Sequence, residues 1–345
     1  MRGVILGLMT MVGAAGAAPV LAQGLPGYDR MEVASPHRAW KVQASVWYPA
    51  GTRTYVGNVG DNPIFHGERV LMGPKVAGGK HPLVLFSHGS GGNMDNMGWL
   101  LSGLAQRGAM VLAVNHPGST SGDSSPRRSM ELGARAQDLS AALDVLLAEP
   151  AFADHVDLDR VTSLGFSLGG ATALNLGGVR FDATRYAPYC AQDAARADCA
   201  FFDKGGVDFA RLPEGFSADG RDGRVTAVAA IDPGFTWVAT EDSMAAMDLP
   251  VMLVNLGEDA RLGASDVGPG GSGFAARLAR VDYREFAPAS HFTALPECQE
   301  DAAALLEEEG EDPICDDPLG ADRAVVHAQV IEALAAFLGL EASGH

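Results

Sequence analysis

Positive charge is scarce in this 345-residue sequence: 25 Lys and Arg stand against 43 Asp and Glu, a formal net charge of −18 at pH 7. An acidic excess spread along the chain repels phosphate backbones and anionic lipid, which argues against nucleic acid and against acidic membrane surfaces as partners. Membrane-length apolar runs are also missing. The one early candidate, residues 4–20, is interrupted by glycines and falls short of the roughly 20 residues that a span prefers. With Arg2 ahead of it and Val20-Leu21-Ala22 before Gln23, this stretch predicts a signal peptide, residues 1–22, cut after Ala22. The expectation is a periplasmic or secreted chain in which residues 23–345 form a single domain with insertions. Cysteine is limited to four residues, with no CxxC and no accompanying histidine spacing, so no zinc site is expected. An even number in an exported chain predicts disulfides, and the local spacing pairs Cys190 with Cys199 and Cys298 with Cys315. No internal repeat is visible, and no Gly-rich segment matches GxxxxGK[ST].

Short apolar runs alternate with longer amphipathic ones. Strands are predicted over 42–48 (a half-buried edge strand), 83–86, 110–114, 161–164, 225–231, 251–256 and 281–286. Helices are predicted over 99–107, 130–147, 169–176 and 324–338. Such alternation implies an α/β fold: a mostly parallel central sheet with helices on both faces. Two segments break the rhythm. Residues 179–222 hold the first cysteine pair and read as a lid-like insertion. Residues 293–320 are acidic and hold the second pair. Loops of this length are usually functional covers or flexible surface.

Glycine is plentiful, at 43 residues, and its arrangement at 160–170, RVTSLGFSLGG, carries chemistry. A Gly-x-Ser-x-Gly between an apolar strand and a helix of small residues forms a sharp turn that exposes Ser167 as a nucleophile. A serine nucleophile needs oxyanion donors, a base, and an acid to orient the base. The loop SHGSGG, residues 87–92, follows the strand 83–86. It can turn a backbone N–H toward an oxyanion beside the N–H of Leu168. His88 reads as scaffold of that loop. Among nine histidines, His291 in PASHFTAL follows the last strand and suits the base, whereas His116 in NHPGS could line the pocket. Two acids compete. Asp232 ends the strand 225–231 and is followed by Pro-Gly. Asp259 follows the strand 251–256, with Glu258 and Asp266 as weaker alternatives. Counting three residues from Gly257 reaches Ala260, so position favours Asp232.

GFSLGG with HGSGG, a late SHF histidine and the order Ser, Asp, His resembles the α/β-hydrolase superfamily. More narrowly, VWYP at 46–49, HPLVLFSHGSGG at 81–92, VNHPGS at 114–119 and IDPG at 231–234 resemble bacterial predicted dienelactone hydrolases. More distantly they are similar to platelet-activating-factor acetylhydrolases and chlorophyllases. The resemblance covers roughly residues 40–295 and the last helix. It implies an acid on the strand just after the nucleophile helix, where Asp232 stands, and backbone donors at Ser90 and Leu168. Ser90 stands where leucine is common, and neither insertion maps onto these families. The residues and the resemblance together predict a serine carboxylic ester hydrolase that forms an acyl-enzyme, needs no cofactor or metal, and acts on a small or polymeric ester. The alternatives are an amide or peptide hydrolase with the same triad and a binding protein on the same fold.

Overall fold

The computed structural model describes residues 24–340; the expected signal peptide lies outside them. Ten strands build one sheet. In chain order they are β1 (Gly27–Val33), β2 (Val42–Tyr48), β3 (Val56–Val59), β4 (Glu68–Met72), β5 (His81–Ser87), β6 (Met110–Val114) and then, after a small ribbon of β7 (Ser119–Thr120) with β8 (Asp123–Ser124), β9 (Val156–Phe166), β10 (Ala227–Ile231), β11 (Val251–Leu256) and β12 (Val281–Phe286). Their order across the sheet is β12-β11-β10-β9-β5-β6-β2-β1-β4-β3. From β12 to β6 every pairing is parallel, while β2 joins β6 and β1 antiparallel.

The central strands are apolar without interruption because both of their faces are covered. In β5, Leu83 and Leu85 enter one core and Val84 and Phe86 the other. Helices α1 (Gly98–Gln106) and α9 (Arg323–Phe337) cover one face. Helices α3 (Leu132–Ala148) and α4 (Leu168–Gly177) cover the other, with a short α2 (Pro126–Ser129) ahead of α3. The expected edge strand 42–48 is instead interior, paired on both sides and buried at all but one position. Its alternation misleads because, of the residues between the apolar ones, Ser45 and Trp47 are buried and only Gln43 is exposed.

The insertion after α4 folds as α5 (Ala183–Gln192) and α6 (Ala197–Lys204), tied by the Cys190–Cys199 disulfide. Tyr186 anchors it, packing its ring against Phe202, Phe216 and Phe235. Beyond the short α7 (Glu241–Ala245), the second insertion holds α8 (Ala302–Glu309) and the Cys298–Cys315 disulfide. No helix among the described residues is long and apolar enough to cross a membrane.

The last helix, α9, also locks a turn. His327 donates from Nε2 to the Thr293 carbonyl at 2.8 Å and stacks on Trp99 with ring centroids 3.7 Å apart. Trp99 in turn donates to the Ala294 carbonyl at 3.0 Å. Arg323 reaches the Pro296 carbonyl at 2.9 Å. The clasped turn, 291–294, begins with His291.

Candidate active site

Strand β9 ends at Phe166 and α4 begins at Leu168, so Ser167 alone makes the turn between them. Its φ of 57° and ψ of −120° lie in a region that side chains rarely adopt. The glycines beside it are steric necessities. A Cβ at Gly165 would overlap the Gly169 carbonyl, and one at Gly169 would overlap the Ser87 carbonyl. The tightness fixes the hydroxyl at the mouth of the sheet. The Ser167 N–H donates to Ile231 at 2.9 Å, and its carbonyl accepts from Gly234 at 3.1 Å.

The ends of β9 and β10 then meet the turn that follows β12. His291 Nε2 lies 3.1 Å from Ser167 Oγ, and its Nδ1 lies 2.9 Å from Asp232 Oδ2. Asp232 is fully buried with φ 44°. Its other oxygen, Oδ1, accepts from Asn255 Nδ2 and from the Leu256 N–H, each at 2.9 Å. Of the other acids weighed, Asp259 and Glu258 are exposed. Asp266 faces Arg261 and the Gly268 N–H instead. The acid against His291 is therefore Asp232.

Opposite the histidine, the 88–92 loop curls over Ser167. Ser90 lies on the cavity wall, and Leu168 opens its helix. Neither N–H donates to an acceptor among the described residues. Both are free for a ligand, as the first N–H groups of a helix ordinarily are. His88 bonds its own loop, through Nδ1 to the Gly89 carbonyl at 2.7 Å and through Nε2 from the His116 N–H at 3.2 Å. His116 does not line the cavity. It is fully buried behind the loop, with Nε2 3.0 Å from Ser87 Oγ and Nδ1 3.0 Å from Asp138. The reason is a charged cluster that the sequence pattern does not reveal. Arg135 is 1 % exposed and donates to Ser119, Ser87, the His88 carbonyl and Thr172, while Asp138 accepts from Nε and Nη2 of Arg38 and faces Nε2 of His37. Burial and the Arg135 charge push His116 down to about 3, so it stays neutral. Burial likewise brings Arg135 down to about 9, despite the nearby Asp138 carboxylate.

A family model described as alpha/beta hydrolase fold matches residues 82–180. Among solved structures, a ferulic acid esterase from Streptomyces cinnamoneus superposes with a TM-score of 0.59 at 17% sequence identity, covering 93% of this chain and 91% of its own. The chain has the α/β-hydrolase fold. A dienelactone hydrolase from Anabaena variabilis is 15% identical over 83% of this chain and 96% of its own, at a TM-score of 0.44. No curated protein matches the sequence.

This α/β-hydrolase fold carries its two insertions as walls of one cavity of about 490 Å³ above Ser167. Helix α6 supplies Phe201 and Phe202, the turn after β10 supplies Phe235, and the second insertion reaches in with Ile314. Phe65, Phe166 and Phe292 complete an aromatic lining. Among the described residues, no group of three or more His, Cys, Asp or Glu side chains is placed to hold a metal ion. Besides the buried cluster, sequence reasoning missed Asn255. Its signal was available: a lone amide inside the apolar strand VMLVNL has to find partners, and one of them is Asp232.

Proposed function

We propose that the protein is an exported serine-dependent carboxylic ester hydrolase, with Ser167 as nucleophile, His291 as base, Asp232 as the acid that orients the base, and the N–H groups of Ser90 and Leu168 as oxyanion donors. The observation that carries this reading is the hydrogen-bonded chain Asp232–His291–Ser167, ending at a largely apolar cavity. His291 takes the hydroxyl proton as Ser167 Oγ attacks the acyl carbon. The carbonyl oxygen becomes an oxyanion held by the two N–H groups, and its collapse expels the alcohol, protonated by His291. Water, deprotonated by the same imidazole, then cleaves the acyl-enzyme. Asp232 keeps the proton of neutral His291 on Nδ1, leaving Nε2 free to accept, and it stabilises the imidazolium. The chemistry needs no cofactor. An apolar cavity suits an acyl or alcohol group of modest size better than a peptide chain, whose amides would lose water without finding partners. Export is supported by the leader pattern of residues 1–22 and by the two disulfides, which form in oxidising compartments.

The test is labelling by a fluorophosphonate probe, followed by hydrolysis of p-nitrophenyl esters of graded chain length. Ser167→Ala should lose labelling and on the order of 10³-fold or more in turnover while keeping its thermal transition. Turnover near that of the parent in a folded variant refutes the assignment.

A further inference from the structure

The cavity above Ser167 is charged on one side only. None of its lining residues is Lys or Arg, whereas Asp198, Glu311 and Asp312 all face it. These carboxylates come from the two insertions, Asp198 from α6 and the other pair from the loop after α8. Asp198 stands apart from the rim pair because it is largely withdrawn from water. Its oxygens accept from the Tyr186 hydroxyl at 3.0 Å and the Tyr189 hydroxyl at 3.3 Å, and among the described residues it has no cationic partner. Burial raises its carboxyl above the usual aspartate range, and the two tyrosine hydroxyls offset only part of that rise. Such a group gains from any cation brought near and loses from any anion. The same cavity is lined by Phe201, Phe202 and Phe235, and aromatic rings also attract a cation.

Resting on the ester hydrolase reading above, we propose that this cavity sorts its substrates by charge. It admits esters whose cap-facing group is apolar and either uncharged or cationic, it refuses esters that carry a carboxylate there, and Asp198 is the specificity-determining residue. A carboxylate entering the cavity would give up its water, find no positive side chain, and meet three like charges. A trimethylammonium group of similar bulk would meet aromatic rings and an unpaired carboxylate instead. The sum of the whole chain, −18, adds a long-range repulsion of anions at low salt.

The experiment compares kcat/KM for p-nitrophenyl hexanoate, mono-p-nitrophenyl adipate and p-nitrophenyl 5-(trimethylammonio)pentanoate, three esters of matched length. The adipate monoester should fall at least about tenfold below the hexanoate, and the cationic ester should stay within about tenfold of it. Asp198→Asn keeps an acceptor for the tyrosines and should narrow the hexanoate-to-adipate ratio by about threefold or more. Because Asp198 helps to order the cap, the double variant Glu311→Gln, Asp312→Asn provides a second arm that leaves α6 untouched. Comparable rates on hexanoate and adipate overturn the proposal. So does a cationic ester much poorer than hexanoate, or a ratio unmoved by both variants. If all three esters are cleaved alike, charge sorting fails while the hydrolase reading stands. If none is cleaved and Ser167 takes no fluorophosphonate, the hydrolase reading itself has failed.

Discussion

At the scale of single residues, Asp232 concentrates most of the site's design. Its positive φ swings the carboxylate off the end of β10 toward His291, and Asn255 and the Leu256 N–H hold the second oxygen so that the first cannot rotate away. Asp232→Asn would present an amide N–H where an acceptor is needed, favouring the wrong histidine tautomer. We expect a loss in kcat on the order of 10⁴-fold. Asp259→Asn, at an exposed position beyond β11, should change kcat/KM by less than about twofold, as surface substitutions ordinarily do. Steady-state kinetics on p-nitrophenyl esters separate the two, and the reverse ranking would move the acid to the later strand. Ser167 and Asp232 could be singled out because each follows directly on a strand in a distinctive local context, and His291 because it comes after the last strand. Arg135 and Asp138 could not. They sit in the first two turns of a helix, where charged residues usually face solvent, and only the packing of α3 against the loop explains their burial.

At the scale of elements, the central parallel strands were legible because continuous apolar runs have few other uses in a chain of this composition. Strands β1, β3 and β4 were not. Strands β3 and β4 are only four and five residues long, and all three carry charged or glycine residues such as Asp29, Arg30 and Gly57. The helices of both insertions were equally hidden, since Pro188 interrupts α5 and α8 ends in an acidic run. The cap nonetheless has a built-in fastening. Its disulfide closes a loop with a sequence separation of 9, and cross-links of that span restrict the open chain by about 2–3 kcal/mol. Replacing Cys190 and Cys199 by alanine should therefore raise KM for p-nitrophenyl hexanoate several-fold and speed proteolysis of 179–222. It should leave kcat within about twofold, because the reacting groups stand on strand ends rather than on the cap. A collapse of kcat at constant KM would contradict this division of labour.

At the scale of the whole molecule, three buried histidines set the response to acid. Burial holds His88 well below the ordinary histidine range, His116 at about 3 and His327 at about 4. An unfolded chain takes up a proton at each near pH 6.5, whereas the folded protein does not, so stability falls as pH drops below that value. Each contributes up to about 1.4 kcal/mol per pH unit, down to pH values near the folded pKa. Glu68, Asp95 and Asp198 oppose this, because burial raises their carboxyls and lets the folded state bind protons first. Calorimetry between pH 7.5 and 5 should show Tm falling by about 4 °C or more, with a shallower slope in His327→Gln. A flat profile would mean that these rings are not neutral in the folded protein. The position of His327 also has a consequence in time. The turn that opens with His291 is clasped from outside by α9, through His327 and Arg323. A ribosome makes that helix some thirty residues after the turn it clasps. While α9 is still inside the exit tunnel, the turn that carries His291 has Trp99 to hold it at Ala294 but lacks its outer clasp, which is completed only when the last helix emerges.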